Sequence, residues 1–430
     1  MKNIFKKIVV IILTYEAKIL LKRTRPQIIA ITGNVGKTSI KDAIYTALKN
    51  KTYVRKSDKS FNSEIGVPLS VLGLPNAWSN PLLWLKNIFD GAMLMIHPGD
   101  YPKILILEMG VDRPGDMDKL TAWIRPDVVV LTRLPDVPVH VEYFDSPEAV
   151  IKEKEKLVLA LKPDGVLIYN QDDEKVVEIA KRQFQKTIGY SRYSLSPYTA
   201  SADKIIYENG RAIGFEFMLT HHDTAVLMRV QGSLGVQHAY NYAAASAVAS
   251  IFDVDVKTVA EALRMHTPPQ SRMRLIDGIK DTLIIDDTYN ASPTAAERSL
   301  ITLGELKGVK RRIAVMGDMM ELGQFSIREH EHIGRIIAQY ADILVTIGVR
   351  ARGFSKGAME AGMNPKNIFE YDDALRAGQE IQTFIKAGDV LLVKGSQSIR
   401  AERFVEEIMA NPKDAEELLV RQGKEWKAIA

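Results

Sequence analysis

The chain reads as an α/β protein, and three observations predict it. Apolar runs of strand length alternate with amphipathic helical stretches over most of the 430 residues, the pattern of helices layered on a parallel sheet. One such run, Ile28-Ile29-Ala30-Ile31-Thr32, leads straight into Gly33-Asn34-Val35-Gly36-Lys37-Thr38-Ser39. Residues 190–232 break the alternation with apolar runs between polar turns, which predicts a small antiparallel β part.

Taken in order, the first element is basic. Residues 1–25 carry seven Lys and Arg against Glu16, a net +6, which leaves the remaining 405 residues at −2. A slightly acidic body excludes a broad nucleic-acid-binding face. As a helix, this segment places Ile4, Ile8, Ile11, Ile12, Tyr15 and Ile19 on one face and Lys7, Thr14, Lys18, Lys22 and Arg25 on another. Two readings stand level: a helix lying on an anionic membrane surface, or one docked on the protein's own core. The run Ile8–Leu13 is too short to span a bilayer. No small-residue cleavage site follows it, as a signal peptide requires.

The strand and glycine turn at 28–39 read as a phosphate-binding loop. Two glycines let backbone N–H groups turn inward, and the helix after them points its positive N-terminus at an anion. Lys37 then neutralises the β- and γ-phosphates and Thr38 offers its hydroxyl to a Mg²⁺ ion. Further strands are expected at 103–108, 127–132 and 164–169, and a long Ala-rich helix from His238 to about Ile251. Pro268-Pro269-Gln270-Ser271 marks a linker, and strands at 282–286, 312–316, 342–347 and 390–394 follow it. The expected division is 1–27, 28–267 and 268–430.

Glu108 closes the second long strand, where α/β nucleotide sites keep a metal-binding carboxylate. His140 and the helix with Lys152, Lys154 and Lys156 carry no decision by composition alone. The absence of cysteine removes disulfides and thiolate chemistry and fits the cytoplasmic side of a membrane.

Several ordered segments together resemble the Mur ligase family. They are the loop at 32–39, Phe61-Asn62-Ser63-Glu64-Ile65-Gly66-Val67-Pro68-Leu69, Leu107-Glu108-Met109-Gly110, Asp286-Asp287-Thr288-Tyr289-Asn290-Ala291-Ser292-Pro293, Met316-Gly317-Asp318-Met319-Met320-Glu321-Leu322-Gly323 and Val393-Lys394-Gly395-Ser396. The resemblance implies an ATP-dependent amide ligase of cell-wall precursor synthesis. Its central ATPase domain would be closed by a C-terminal Rossmann-like domain, and it would act as a monomer. It implies an acyl-phosphate route and two Mg²⁺ ions. Lys37, Glu108, His140 and Lys154 would serve the chemistry, and Gly33, Asn34, Val35, Gly36, Thr38, Ser39, Asn170, Arg272 and Asp287 would hold the nucleotide. Thr38, Glu108, His140 and Lys154 would face the metals, Lys154 as a CO₂-derived carbamate with Lys152 its nearest rival. The branch most resembled joins D-alanyl-D-alanine to a UDP-N-acetylmuramoyl-tripeptide acceptor. Polyglutamate- or cyanophycin-type synthetases, a ligase with a lipid-linked acceptor and a nucleotide-dependent regulatory subunit are the alternatives.

The chain departs from the family pattern at Ser271, where glycine is common, at Ala239, and at Gln397, where arginine is usual. The roughly thirty residues before the loop are too few for the family's uridine-binding domain. An acceptor presented at the membrane or by a partner is therefore expected.

Overall fold

The computed structural model describes residues 2–58 and 61–427, with side chains from Phe5 onward. Strands β1 (Gln27–Thr32), β2 (Val54–Lys56), β3 (Ile104–Glu108), β4 (Val128–Leu131), β5 (Val166–Asn170), β6 (Lys186–Ser191), β7 (Tyr198–Glu208), β8 (Arg211–His221) and β9 (Thr224–Gln231) form one sheet. Its order is β2-β3-β1-β4-β5-β6-β7-β8-β9. Pairing is parallel from β2 to β7 and antiparallel from β7 to β9. The antiparallel part thus continues the parallel sheet, and β6 belongs to the parallel side. Its strands are long, with 11 residues in each of β7 and β8.

Helices α1 (Lys2–Thr24), α2 (Lys37–Leu48), α3 (Gly66–Leu72), α4 (Pro81–Ile96), α5 (Asp116–Thr121), α6 (Pro147–Leu159), α7 (Glu174–Lys181), α8 (Gln237–Ile251) and α9 (Val256–Leu263) cover both faces. The alternation within β1 explains the layers. Ile29 and Ile31 join the core under α2, α8 and α9, whereas Ile28 and Ala30 join the core under the other helices. Because β3 and β4 flank β1 on opposite sides, the chain reverses its winding direction there. That crevice is where open α/β sheets bind ligands.

Helix α1 corrects the amphipathic reading. It docks on the core, but through Val9, Leu13, Ala17 and Leu20, with Glu16 buried among them. Ile8, Ile11 and Tyr15, read as the seat of the apolar face, are exposed, and Ile12 and Ile19 are half-buried. The side chain of Ile4 lies outside the described residues. Glu16 lies over Gly91 of α4, so close that a Cβ there would stand 2.1 Å from its Oε2. Burial pushes the Glu16 carboxyl up to about 7.

A second sheet follows, made of β10 (Arg274–Gly278), β11 (Thr282–Asp287), β12 (Arg311–Gly317), β13 (Ile343–Ile347), β14 (Ile368–Tyr371) and β15 (Asp389–Lys394). Its order is β10-β11-β15-β12-β13-β14, parallel except for β10. Helices α10 (Pro293–Glu305), α11 (Ser326–Tyr340), α12 (Arg352–Glu360), α13 (Ala374–Ile381) and α14 (Glu402–Ile408) flank it. The two sheets are not independent bodies side by side. Val137, Val141 and Val150 share a buried cluster with Met316, Met319 and Leu322, and the Glu142 N–H donates to the Glu321 carbonyl at 3.3 Å.

Candidate active site

The phosphate loop is held in shape by its neighbours. Gly33 has φ 132°, and a Cβ there would meet Thr132 Oγ1 at 2.0 Å, so only glycine fits. Gly36, at φ 88°, turns the chain into α2, whose N-terminus faces the cavity with its unpaired N–H groups. The Asn34 N–H donates to the Arg133 carbonyl at 2.9 Å. Lys37 Nζ donates to the Gly33 carbonyl at 2.9 Å; burial lowers its pKa, and Glu108 opposes that fall.

Glu108 sits at the end of β3 beside the loop. Its Oε2 accepts from Thr38 Oγ1 at 2.9 Å and lies 3.7 Å from the buried Lys41 ammonium. Its backbone N–H donates to Ser57 Oγ at 3.2 Å. Hydroxyl and carboxylate are therefore adjacent, as a shared cation requires.

Helix α6 presents lysines in three settings. Lys152 is exposed and Lys156 pairs with Asp118 and Glu153, whereas Lys154 is buried and opens on the same cavity as Lys37. Burial, with repulsion from Lys37 behind it, pushes the Lys154 ammonium down to about 7. A lysine half-neutral near neutral pH is nucleophilic.

His140 has φ 71° and reaches across to the second sheet's half of the molecule. Its Nδ1 lies 2.6 Å from Glu321 Oε2, and its Nε2 lies 3.6 Å from Asp112 Oδ1. The imidazole holds the Glu321 carboxyl below the usual carboxylate range.

The second half completes the enclosure. Arg272 stacks its guanidinium over the Tyr289 ring at 3.9 Å, and its Nε is buried without a hydrogen-bond partner. Asp287 accepts from Lys394 Nζ at 2.6 Å and from Ser299 Oγ at 2.8 Å. Both partners of the Asp287–Lys394 pair are buried. Asp287→Asn is therefore expected to cost about 3 kcal/mol by leaving the ammonium without its counter-charge; a urea titration reads it. Ser271, the departure from glycine, has φ 55°. A serine tolerates that strained region here because its hydroxyl donates to the buried Asp286 at 2.7 Å.

All thirteen residues singled out in the sequence line one cavity of about 920 Å³, Asn170 at the end of β5 among them. Gln397 is exposed at its rim. Others on the wall were quoted within motifs without a role: Asn62, Tyr289, Glu321 and Lys394. Asp112 follows the Glu108 strand and Asn241 lies two residues after the departure at Ala239, whereas Trp426 had no signal beyond position in the fold. His238, on the same wall, is buried: its Nε2 lies 2.8 Å from Ser233 Oγ, and burial depresses its pKa to about 3.

The cavity fits a nucleotide and its cation. Asn34 has both amide atoms buried and unpaired beside the loop, and Thr32 and Thr132 hydroxyls are likewise unpaired. Such groups call for a partner.

Comparison with known proteins agrees with this geometry. Residues 31–249 match the Mur ligase middle domain, and residues 271–397 match the Mur ligase, glutamate ligase domain. The chain is 27% identical over 400 residues to the UDP-N-acetylmuramoyl-tripeptide--D-alanyl-D-alanine ligase of Bacillus subtilis, covering 92% of this chain and 79% of that one. It is 30% identical over 397 residues to the enzyme of the same name from Mycobacterium leprae, covering 86% and 71%. The crystal structure of the MurF ligase from Thermotoga maritima in complex with ADP superposes with a TM-score of 0.75 at 26% identity, over 93% of this chain and 83% of that one. With a phosphate loop, a paired hydroxyl and carboxylate, and a second α/β half closing the same cavity, the chain belongs to the Mur ligase family of ATP-dependent ligases.

Proposed function

We propose that this enzyme joins D-alanyl-D-alanine to a UDP-N-acetylmuramoyl-tripeptide-type acceptor. The observation that carries the reading is the convergence of the Lys37 loop, the Thr38–Glu108 pair and the buried Lys154 on one cavity that Arg272 and Asp287 close from the other half. The relatives named for that reaction support the choice of substrates.

ATP supplies the γ-phosphoryl group. A carboxylate oxygen of the acceptor attacks its phosphorus and ADP leaves with the bridging oxygen, giving an acyl phosphate. The dipeptide amine then attacks the acyl carbon, loses a proton and expels phosphate. Catalysis of the first step is positioning and charge neutralisation. Lys37 and the α2 N-terminus meet the phosphates, and Thr38 and Glu108 would hold one Mg²⁺. His140 and a carbamate on Lys154 would hold a second. Asn170 would contact the adenine, Asp287 the ribose and Arg272 the phosphates.

Enclosure by the two halves would keep water from the acyl phosphate. We divide the chain accordingly into 1–27, 28–267 and 268–430 and read it as a monomer. Its substrates place it on the cytoplasmic side of the membrane.

The test is ATP-dependent phosphate release with the UDP-linked tripeptide, with and without D-alanyl-D-alanine, together with the mass of the product. Amide product dependent on both substrates is the expected result. Phosphate release without amide, or none, would overturn the assignment.

A further inference from the structure

We propose that helices α1 and α4 together form a docking face for an anionic lipid bilayer. Of the 22 large hydrophobic side chains exposed among the described residues, nine lie on these two helices. On α4 they are Leu82, Leu85, Phe89, Met93 and Ile96, exposed by 44–76%. Steps of three and four residues put them on one face. That face is opposite Trp84, Asn87 and Gly91, which are buried against the protein. On α1 they are Phe5, Ile8, Ile11 and Tyr15, exposed by 40–67%.

The two helices present this surface jointly. They are packed together at Glu16 and Gly91, and the Arg23 guanidinium donates to the Met95 and Ile96 carbonyls at the end of α4. A surface of this kind on a soluble protein marks an interaction site.

Charge selects the occupant. Lys6, Lys7, Lys18 and Lys22 of α1, with Arg25 just after it, are all exposed. Glu16, the one acid among residues 1–25, is turned inward. Apolar side chains bordered by ammonium groups match acyl chains beneath anionic headgroups. Among the described residues no helix is long and apolar enough to cross a membrane, so the face would lie in the interface plane.

It also lies next to the active site. Trp78, just before α4, packs edge-on against Trp426 with ring centroids 5.8 Å apart, and Trp426 lines the catalytic cavity. Docking through α1 and α4 would therefore hold the cavity rim near the leaflet.

The test is flotation of the full chain with phosphatidylcholine vesicles and with vesicles enriched in phosphatidylglycerol. Binding to the enriched vesicles is expected, weakening by about fivefold for each charge removed in Lys18→Gln and Lys22→Gln and weakening further with salt. Leu85→Ser with Phe89→Ser should abolish it, and because both side chains are exposed the folded state should persist. No flotation, equal flotation with both vesicle types, or binding indifferent to these substitutions would overturn the proposal. So would a dimer in light scattering that dissociates with Leu85→Ser and Phe89→Ser, since a second copy would then be the occupant. The inference stands apart from the ligase chemistry: flotation reads the surface, phosphate release reads the cavity, and either can fail alone.

Discussion

Replacing Lys37 by alanine is expected to lower kcat/KM for phosphate release by about 10³-fold while leaving the fold at least as stable. Both halves of this result follow from the same position. The ammonium sits in the wall of the cavity, and burial lowers its pKa, so in the nucleotide-free protein the charge is an unfavourable feature. Its gain comes when phosphate charge arrives beside it. The urea midpoint of Lys37→Ala should therefore match or exceed that of the parent chain. The added stability conferred by ADP, about 2.7 kcal/mol at a hundredfold excess over Kd, should shrink sharply. Removing this cation also relieves Lys154, whose pKa it depresses, so Lys154 should titrate higher in the variant. A Lys37→Ala protein that retains phosphate release, or that unfolds at lower urea with ADP protection intact, would contradict the assignment of Lys37 to the phosphates.

Much of this site was legible because its signals are local. A β-branched run ending in a glycine turn specifies a strand, a phosphate loop and a helix within a dozen residues, and β1 and α2 lie where that run put them. The strands at 282–287, 311–317, 343–347 and 389–394 are buried on both faces, so their near-continuous apolar runs announce them. β2 has three residues and β14 is a partly exposed edge, too short or too polar for a periodic signal. Helix α4 did carry a start signal, Asn80 before Pro81, whose side chain caps the helix.

The face of α1 was misread for a different reason. Its apolar residues surround most of the helix, so periodicity offered more than one face. The choice is made by Gly91 on another helix, which leaves room for Glu16. The same limit applies to His140 with Glu321, which joins the halves, and to Asp287 with Lys394 within the second half. Their partners are far apart in sequence and meet only in the folded chain.

Lys154 carries the second large effect. Lys154→Ala and Lys154→Arg are each expected to lower kcat by about 10²- to 10³-fold, whereas Lys152→Ala, at the exposed neighbour, should leave it unchanged. Arginine cannot add CO₂ and keeps a cation where a carbamate would help hold Mg²⁺. A carbamate would form only from the neutral amine, and burial brings that amine's pKa down to about 7. Activity at limiting CO₂ should therefore fall as pH drops below about 7 and recover with added bicarbonate.

Stability gives an independent reading with a definite sign. The folded-state pKa lies below the ordinary lysine value of 10.5, so between about 7 and 10.5 the unfolded chain binds more protons. Stability contributed by this group rises with pH across that window and is lost as pH falls toward 7. Lys154→Met should flatten that rise. In ¹³C-bicarbonate the parent chain should show a carbamate resonance that is absent from Lys154→Ala, and a short carboxylic acid should restore part of the alanine variant's activity by occupying the vacated position. If the resonance is missing while Lys154→Arg stays inactive, the buried ammonium itself is the working group, and the pH profile should then run the other way, with activity lost as pH rises through about 7.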